Sequence, residues 1–393
     1  MGSLGFGPVS EEQATEPMKL TEKTPSSAHQ KAEMASSRFL FSNGVLSHSS
    51  DIPDVRTFLE SNPGAYTTTR THNNASCLLF WERHLRRLAN SARILCESNP
   101  PLLFKSGKST HSLSLLPSVW ESVIRTQVNE SMREVLPVAL GGRRYGEELA
   151  VTAHVSGDLM TFSENKTVDE ENLSKALDVH VHIGAYVPPE FGVGGTGAHL
   201  AVVGRGRDVA AAKYSEWVRL RKPLEKLRPP SVTELLLSND GDRILEGCLT
   251  NFFVVCPKDI DEIGGEYLHD YKGAHLFEVQ TAPIGDGVLP GIIRQLVIDV
   301  CLSKGISVRE VAPSWFEHEK WKEAFITNSL RLMQHVQKIQ VPISWESIEQ
   351  KTWQEIVWKE KHFKESPGKL ITLIQKEIMD RADLEGYPCI NFA

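Results

Sequence analysis

Residues Arg243–Val255, RILEGCLTNFFVV, are mostly β-branched, aromatic and apolar, and they predict a strand. Glu246 interrupts that run just after the turn-like SNDGD of residues 238–242. A carboxylate in such a setting is costly to bury unless a cation meets it. Within the run only Arg243 carries a positive charge, and Arg294 is the other nearby arginine considered as a partner.

Working outward, the chain alternates strand and helix signals. GAYTTTRTHN (64–73) reads as strand ending in turn residues. LLFWERHLRRLANSARILCES (78–98) places Leu85, Leu88, Ala92 and Leu95 at helical spacing with a basic outer face. SVWESVIRTQVNESMREVL (118–136) is a second amphipathic helix, and EELAVTAHVSGDLMTF and DVHVHIGAY read as strands. Pro188, Pro189 and the glycines between 192 and 197 predict a link between two domains. Beyond it, AHLAVVG, TELLLS, RILEG, NFFVV, ISVREV and EAFITNS predict strands, while AAKYSEWVRLRKPLEKL predicts a helix. A further helix follows GVLPG and closes at Gly305. Residues 345–383 are expected to be mainly helical. The class is mixed α/β (α+β). The expected division is a polar, disordered arm at 1–36, a small α/β domain at 37–187 and a linker at 188–198. A larger domain at 199–344 and a helical extension at 345–393 complete it.

Composition narrows the function. The chain has 393 residues, and a net charge of −7 argues against general nucleic-acid binding, which needs a basic surface. Six scattered cysteines without a C-x-x-C pair point to reduced thiols and a cytoplasmic location rather than a disulfide or zinc framework. No apolar run approaches the roughly 18–20 residues of a membrane span. The arm lacks the apolar core of a secretory signal, and its several glutamates make it a poor transit peptide; Met34 is an alternative start.

Several partial motifs fail. FGVGGTG precedes a strand where a dinucleotide fingerprint needs a helix. SGKST lacks the earlier glycine of a phosphate loop, since Leu102 stands there. His180 and His182 share a strand face but have no third ligand at a metal-binding spacing.

Four segments, taken together, resemble the fold-type IV (class-IV) pyridoxal-phosphate enzymes, the branched-chain and D-amino-acid aminotransferases and aminodeoxychorismate lyase. The resemblance covers roughly residues 39–340, with the segments in the family's order. YTTTR leads into His84, Arg87, Leu88, Ser91 and Ala92, a pattern similar to the family's His-x-x-Arg-Leu-x-x-Ser-Ala helix. This implies that Arg87 binds the cofactor phosphate, for which a guanidinium fork is well shaped. Lys213 stands slightly over thirty residues before Glu246, the family's spacing for the Schiff-base lysine. Lys222 and Lys226 are rivals, but they lie in a charged run that reads as solvated.

Glu246, Asn251 and Phe252–Phe253 are similar to the family's acid, asparagine and aromatic strand, which implies that Glu246 meets the pyridine nitrogen. Leu289-Pro290-Gly291-Ile292-Ile293-Arg294 resembles the loop that opens a phosphate-binding helix, with the amides of Ile292 and Ile293 on the phosphate. Ile293 stands where the family usually has threonine. Ser329 matches a further phosphate-binding hydroxyl, and His335 replaces a common proline.

The resemblance implies pyridoxal 5'-phosphate as cofactor, a small amino acid or amino-chorismate as substrate and a homodimer. It implies neither a nucleic-acid nor a membrane partner. Amino transfer is the leading expectation. Two features lean toward the pyruvate-forming lyase. Trp217 stands where aminotransferases often carry tyrosine, and YTTTR is closer to the lyase strand, with Thr68 toward the substrate. A non-catalytic relative is the remaining reading.

Overall fold

The computed structural model describes residues 38–48, 51–105, 115–158, 169–192, 197–258 and 276–392. The expected arm at 1–36 and the SGKST segment at 106–110 lie outside these residues.

Among the described residues, sixteen strands form two sheets. They are β1 (Arg38–Ser42), β2 (Val45–His48), β3 (Ala65–His72), β4 (Cys77–Leu78), β5 (Glu148–Gly157), β6 (Leu177–Tyr186), β7 (Ala198–Gly204) and β8 (Glu234–Ser238). The rest are β9 (Ile244–Gly247), β10 (Asn251–Pro257), β11 (Phe277–Thr281), β12 (Ser307–Glu310), β13 (Glu323–Asn328), β14 (Leu332–Pro342), β15 (Trp358–His362) and β16 (Tyr387–Pro388). The first sheet has the order β16-β4-β3-β5-β6-β1-β2 and is antiparallel throughout. In the second sheet β10-β13-β14-β7-β8-β9 closes on itself through the pairing Asn251↔Glu246, making a six-stranded barrel. β11 and β12 extend the barrel wall from β10, and β15 adds to β14.

Side-chain periodicity explains both layers. Helix Trp81–Ser98 buries Trp81, His84, Leu85, Leu88, Ala89, Ser91, Ala92 and Leu95, the i, i+3, i+4 stripe of an amphipathic helix. It packs with helix Pro117–Gly141, which starts on a proline at its first position and buries Trp120, Val123, Ile124, Val128 and Met132. The barrel interior is filled by Leu200, Val202, Leu236, Ile244, Phe252, Val254 and Ile326, alternate residues of their strands. A single apolar cluster continues from Leu88 and Val151 in the first layer to Val203, Leu237 and Trp217 in the second. Helices Ile292–Ser303 and Lys369–Leu384 cover the barrel's other side, over the stacked rings of Phe253 and Phe325, 4.8 Å apart.

Two expectations need correction. The segment after Lys213 forms only two one-turn helices, Trp217–Leu220 and Lys222–Glu225. Its first residues are tied to β3 by backbone hydrogen bonds instead of to one another. Residues 345–368 contain no α-helix; β15 forms there by pairing with β14, and one helix, Lys369–Leu384, follows. Alternation in WKEKH is satisfied by an edge strand, and the neighbouring strand decides the outcome.

Candidate active site

Lys213 lies where the two layers meet. Its carbonyl accepts from Tyr66 N (3.0 Å), and its own amide donates to Ser91 Oγ (3.1 Å). Ser215 N donates to Gly64 O (2.9 Å), so the lysine segment runs as a short ladder along the start of β3. The Lys213 Nζ sits 4.6 Å from the centroid of the Tyr66 ring. Burial lowers the lysine from its ordinary value; Arg87 and Arg207 act in the same direction and Tyr66 opposes them. Lys222 and Lys226 are both exposed, Lys222 on Glu60 at 2.8 Å, as their charged surroundings predicted.

Arg87, on helix Trp81–Ser98, is held against β3. Its Nη2 donates to Thr67 Oγ1 (2.8 Å) and lies 3.4 Å from His84 Nδ1. Its Nε is buried with no partner among the described residues, and so is His84 Nε2. Burial pulls the Arg87 guanidinium down to about 10 and holds His84 well below its ordinary value, with Arg87 and Lys213 adding to the latter shift. Helix Ile292–Ser303 has Gly291 as its N-cap with no side chain to satisfy the first amides. Arg87, Gly291 and Ile292 line one cavity of about 310 Å³. A Cβ at position 291 would collide with Asn251 Oδ1, so the close approach of that loop requires glycine. The side chains of Ile292 and Ile293 turn into the core, leaving their amides at the helix end. The residues at this end suit a phosphate dianion: a buried guanidinium with a free N–H faces an uncapped helix N-terminus.

Glu246 is 1% exposed, and its cation is Arg207. Neither arginine considered from sequence fills the role: Arg294 pairs with Glu310 at 2.6 Å, and Arg243 bridges by backbone to Ser314. Arg207 Nε donates to Glu246 Oε1 at 2.9 Å and Nη2 bonds to the same oxygen. Oε2 accepts from Leu289 N (3.0 Å) and from Asn251 Nδ2 at a long 3.4 Å. Burial pushes the Glu246 carboxyl up, and Arg207, Leu289 N and Lys213 pull against it. Arg207 in turn lies 5.4 Å from the ring centroid of Trp217, whose Nε1 donates to Cys248 O (2.8 Å).

The remaining candidates make contacts of their own. Ser329 is half-buried on the turn between β13 and β14, where Asn328 Oδ1 accepts from the amides of Leu330 and Arg331. Arg70 Nε donates to Leu330 O (2.7 Å), so β3 holds that turn in place. Thr68 shares a face of β3 with Tyr66 and Arg70, and its hydroxyl bonds that of Thr152 (2.9 Å). His335 is buried and bonds Glu365 O (2.8 Å), a tie between strand and loop. His180 and His182 bond Ser42 Oγ and Pro53 O, and the described residues hold no group of three metal ligands. Sequence reasoning assigned no role to Arg207 or Tyr66. Arg207 sits in a polar loop, GRGRD, that carries no motif, and Tyr66 was visible only as the aromatic start of a strand.

Comparison with known proteins agrees with this architecture. Residues 203–339 match the family model for amino-transferase class IV. No curated protein sequence matches the chain. Among solved structures, the branched-chain aminotransferase of the archaeon Thermoproteus uzoniensis, with norvaline, superposes with a TM-score of 0.55. Identity is 17%, and the match covers 90% of this chain and 99% of that one. An aminotransferase from Brucella abortus, bound to the cofactor PLP, gives 0.53 at 15% identity, covering 88% and 99%. The Escherichia coli branched-chain amino acid aminotransferase gives 0.52 at 16%, covering 86% and 92%. At such identities the likeness is one of fold. Residues 203–339 thus carry the class-IV amino-transferase match, and the chain as a whole shares its two-layer fold with these aminotransferases.

Proposed function

We propose that the chain is a pyridoxal-phosphate enzyme that moves an amino group between an amino acid and a 2-oxo acid, with Lys213 as its reactive amine. The observation that carries this reading is the meeting of three groups in one neighbourhood. Lys213 N is bound to Ser91 Oγ, one turn beyond Arg87 on the same helix, and the loop that carries Lys213 also carries Arg207, which holds Glu246. Two of the structural neighbours, one with norvaline and one bound to PLP, are consistent with it. When bound, pyridoxal phosphate supplies an aldehyde that captures amines and a pyridinium ring that withdraws electrons from the bond being broken.

The chain's own residues do the rest. Arg87 and the amides of Ile292 and Ile293 would hold the phosphate, with the Ser329 hydroxyl as a further donor. Ile293 lacks a hydroxyl and contributes only its backbone. Glu246 would meet the ring nitrogen. The partly desolvated amine of Lys213 is more often neutral than a surface lysine, which makes it both a nucleophile and a carrier for the substrate's Cα proton. Thr68 lines the substrate side. A spectrum of the purified protein, then borohydride reduction and peptide mapping, tests the assignment. The expected result is a visible absorption band that borohydride removes, with the label on Lys213. No band, and an unaltered spectrum for Lys213→Ala, would reject it.

The likeness of the YTTTR strand to that of the lyase supports a second reaction, pyruvate elimination from aminodeoxychorismate. Formation of 4-aminobenzoate without an oxo-acid acceptor selects it. A homodimer in the cytoplasm completes the proposal, and a stable monomer in sedimentation would remove the first part.

A further inference from the structure

Tyr66 and Lys213 come from different layers but leave the same short ladder as neighbours. Tyr66 N donates to Lys213 O, Ala65 bridges Tyr214, and Ser215 N donates to Gly64 O. This backbone ladder brings the amine to 4.6 Å from the phenol ring centroid. Phe58, Leu59 and Val218 pack around Tyr66, which is 5% exposed. Packing alone would be served by phenylalanine; the chain places an ionisable ring here instead.

The charges around the pair are unequal. Arg207 comes from the loop after β7, Arg221 from the short helical segment beyond Lys213, and Arg87 from helix Trp81–Ser98. Across the β3–β5 pair stands His154, which burial holds at about 3 and therefore neutral. Glu246 is bound to Arg207, and Glu225 to Arg221 at 3.0 Å. Three guanidinium groups, two of them paired with carboxylates, thus act on the amine and the phenol.

We propose that Tyr66 is a proton-handling residue: its phenol and the Lys213 amine share one proton, and Lys213 becomes the free amine by passing that proton to the Tyr66 oxygen. The pair first releases one proton to solvent. In the transfer the Nζ–H bond breaks, its electron pair stays on nitrogen, and an O–H bond forms on the tyrosinate; nothing is oxidised or reduced. Two shifts support the pairing. Burial raises the phenol, yet Lys213, Arg221 and Arg207 bring it below its ordinary value. Burial, Arg87 and Arg207 lower the amine, so the two groups approach each other on the pH scale.

This inference rests on Lys213 as the reactive amine, but its test needs no bound cofactor. The full chain, treated with hydroxylamine and desalted, is titrated by tyrosinate absorbance. One tyrosine should ionise well before the others; that step should vanish in Tyr66→Phe and move to higher pH in Lys213→Met. In parallel, the pH midpoint for reductive methylation of Lys213, read by peptide mapping, should fall in Tyr66→Phe by about one unit, a tenfold change in proton affinity. Thermal melts of the variants report whether they are folded. Superimposable tyrosinate titrations of wild type and Tyr66→Phe, or an unmoved Lys213 midpoint, would overturn the proposal. Shifts that persist in a protein unable to take up pyridoxal phosphate would uphold it while rejecting the wider function.

Discussion

The two ends of the site differ in how their buried polar atoms are partnered. Around Glu246 both carboxylate oxygens are engaged, by Arg207, Leu289 N and Asn251. Around Arg87 a guanidinium nitrogen and an imidazole nitrogen are buried unpartnered among the described residues, beside a helix end with no side-chain cap. An engaged end is held together by the protein itself, whereas an open end is completed by a ligand. Substitution should therefore cost mainly stability at the first and mainly affinity at the second.

The largest effect is expected from Arg207→Met. It leaves a carboxylate buried without its cation, which costs about 3–5 kcal/mol. Urea midpoints measure this, and a loss below about 1 kcal/mol would mean that Glu246 does not depend on Arg207.

A second contrast concerns pH. Burial pushes the Glu234 carboxyl up to about 7, and burial holds His154 at about 3. A raised carboxyl keeps a proton that the unfolded chain has lost. Its contribution is therefore full below the unfolded value of about 4.3 and disappears as pH rises through about 7, roughly 3–4 kcal/mol in all. A depressed histidine works the other way: its contribution is present above about 6.5 and is lost as pH falls toward about 3. Glu234→Gln should flatten the decline between about pH 4.3 and 7 in urea midpoints, and His154→Gln should flatten the acid limb. An unchanged slope in either variant counts against the burial of that group.

Arg87→Ala should change the urea midpoint little, because it removes a buried charge whose Nε has no partner among the described residues. It should weaken pyridoxal phosphate binding by about 10- to 150-fold, the equivalent of one charge-assisted bond of roughly 1.5–3 kcal/mol. Equilibrium dialysis separates the two quantities, and a large stability loss with intact affinity would reverse the contrast. The smallest effect is expected from Gly291→Ala. The added methyl displaces Asn251 from Leu289 O and Glu246, for about 1–3 kcal/mol by thermal melting.

The helices that carry the open end could be read from the chain alone. Arg87 lies on a helix whose apolar spacing is plain, and Gly291–Ile293 open a second helix after a proline. Both are local patterns, and the side chains act close to the backbone that carries them. The engaged end could not be read this way. Arg207 reaches Glu246 across 39 positions, and nothing in a polar loop marks one arginine as buried. Tyr66 meets Lys213 because a strand of one layer pairs with a loop of the other, a tertiary pairing that neither segment's composition announces. The same reason explains the missing helices after Lys213 and after residue 345. In both places hydrogen bonds to a distant strand replaced the local ones that periodicity had suggested.

Arg207 and Lys213 leave one continuous loop, the first to neutralise the acid on β9 and the second to present its amine beside β3. The loop therefore works as a ruler: its length sets counter-charge and nucleophile in register. A single inserted or deleted residue between them would mis-space both groups at once, so this short interval should tolerate changes in residue type far better than changes in length.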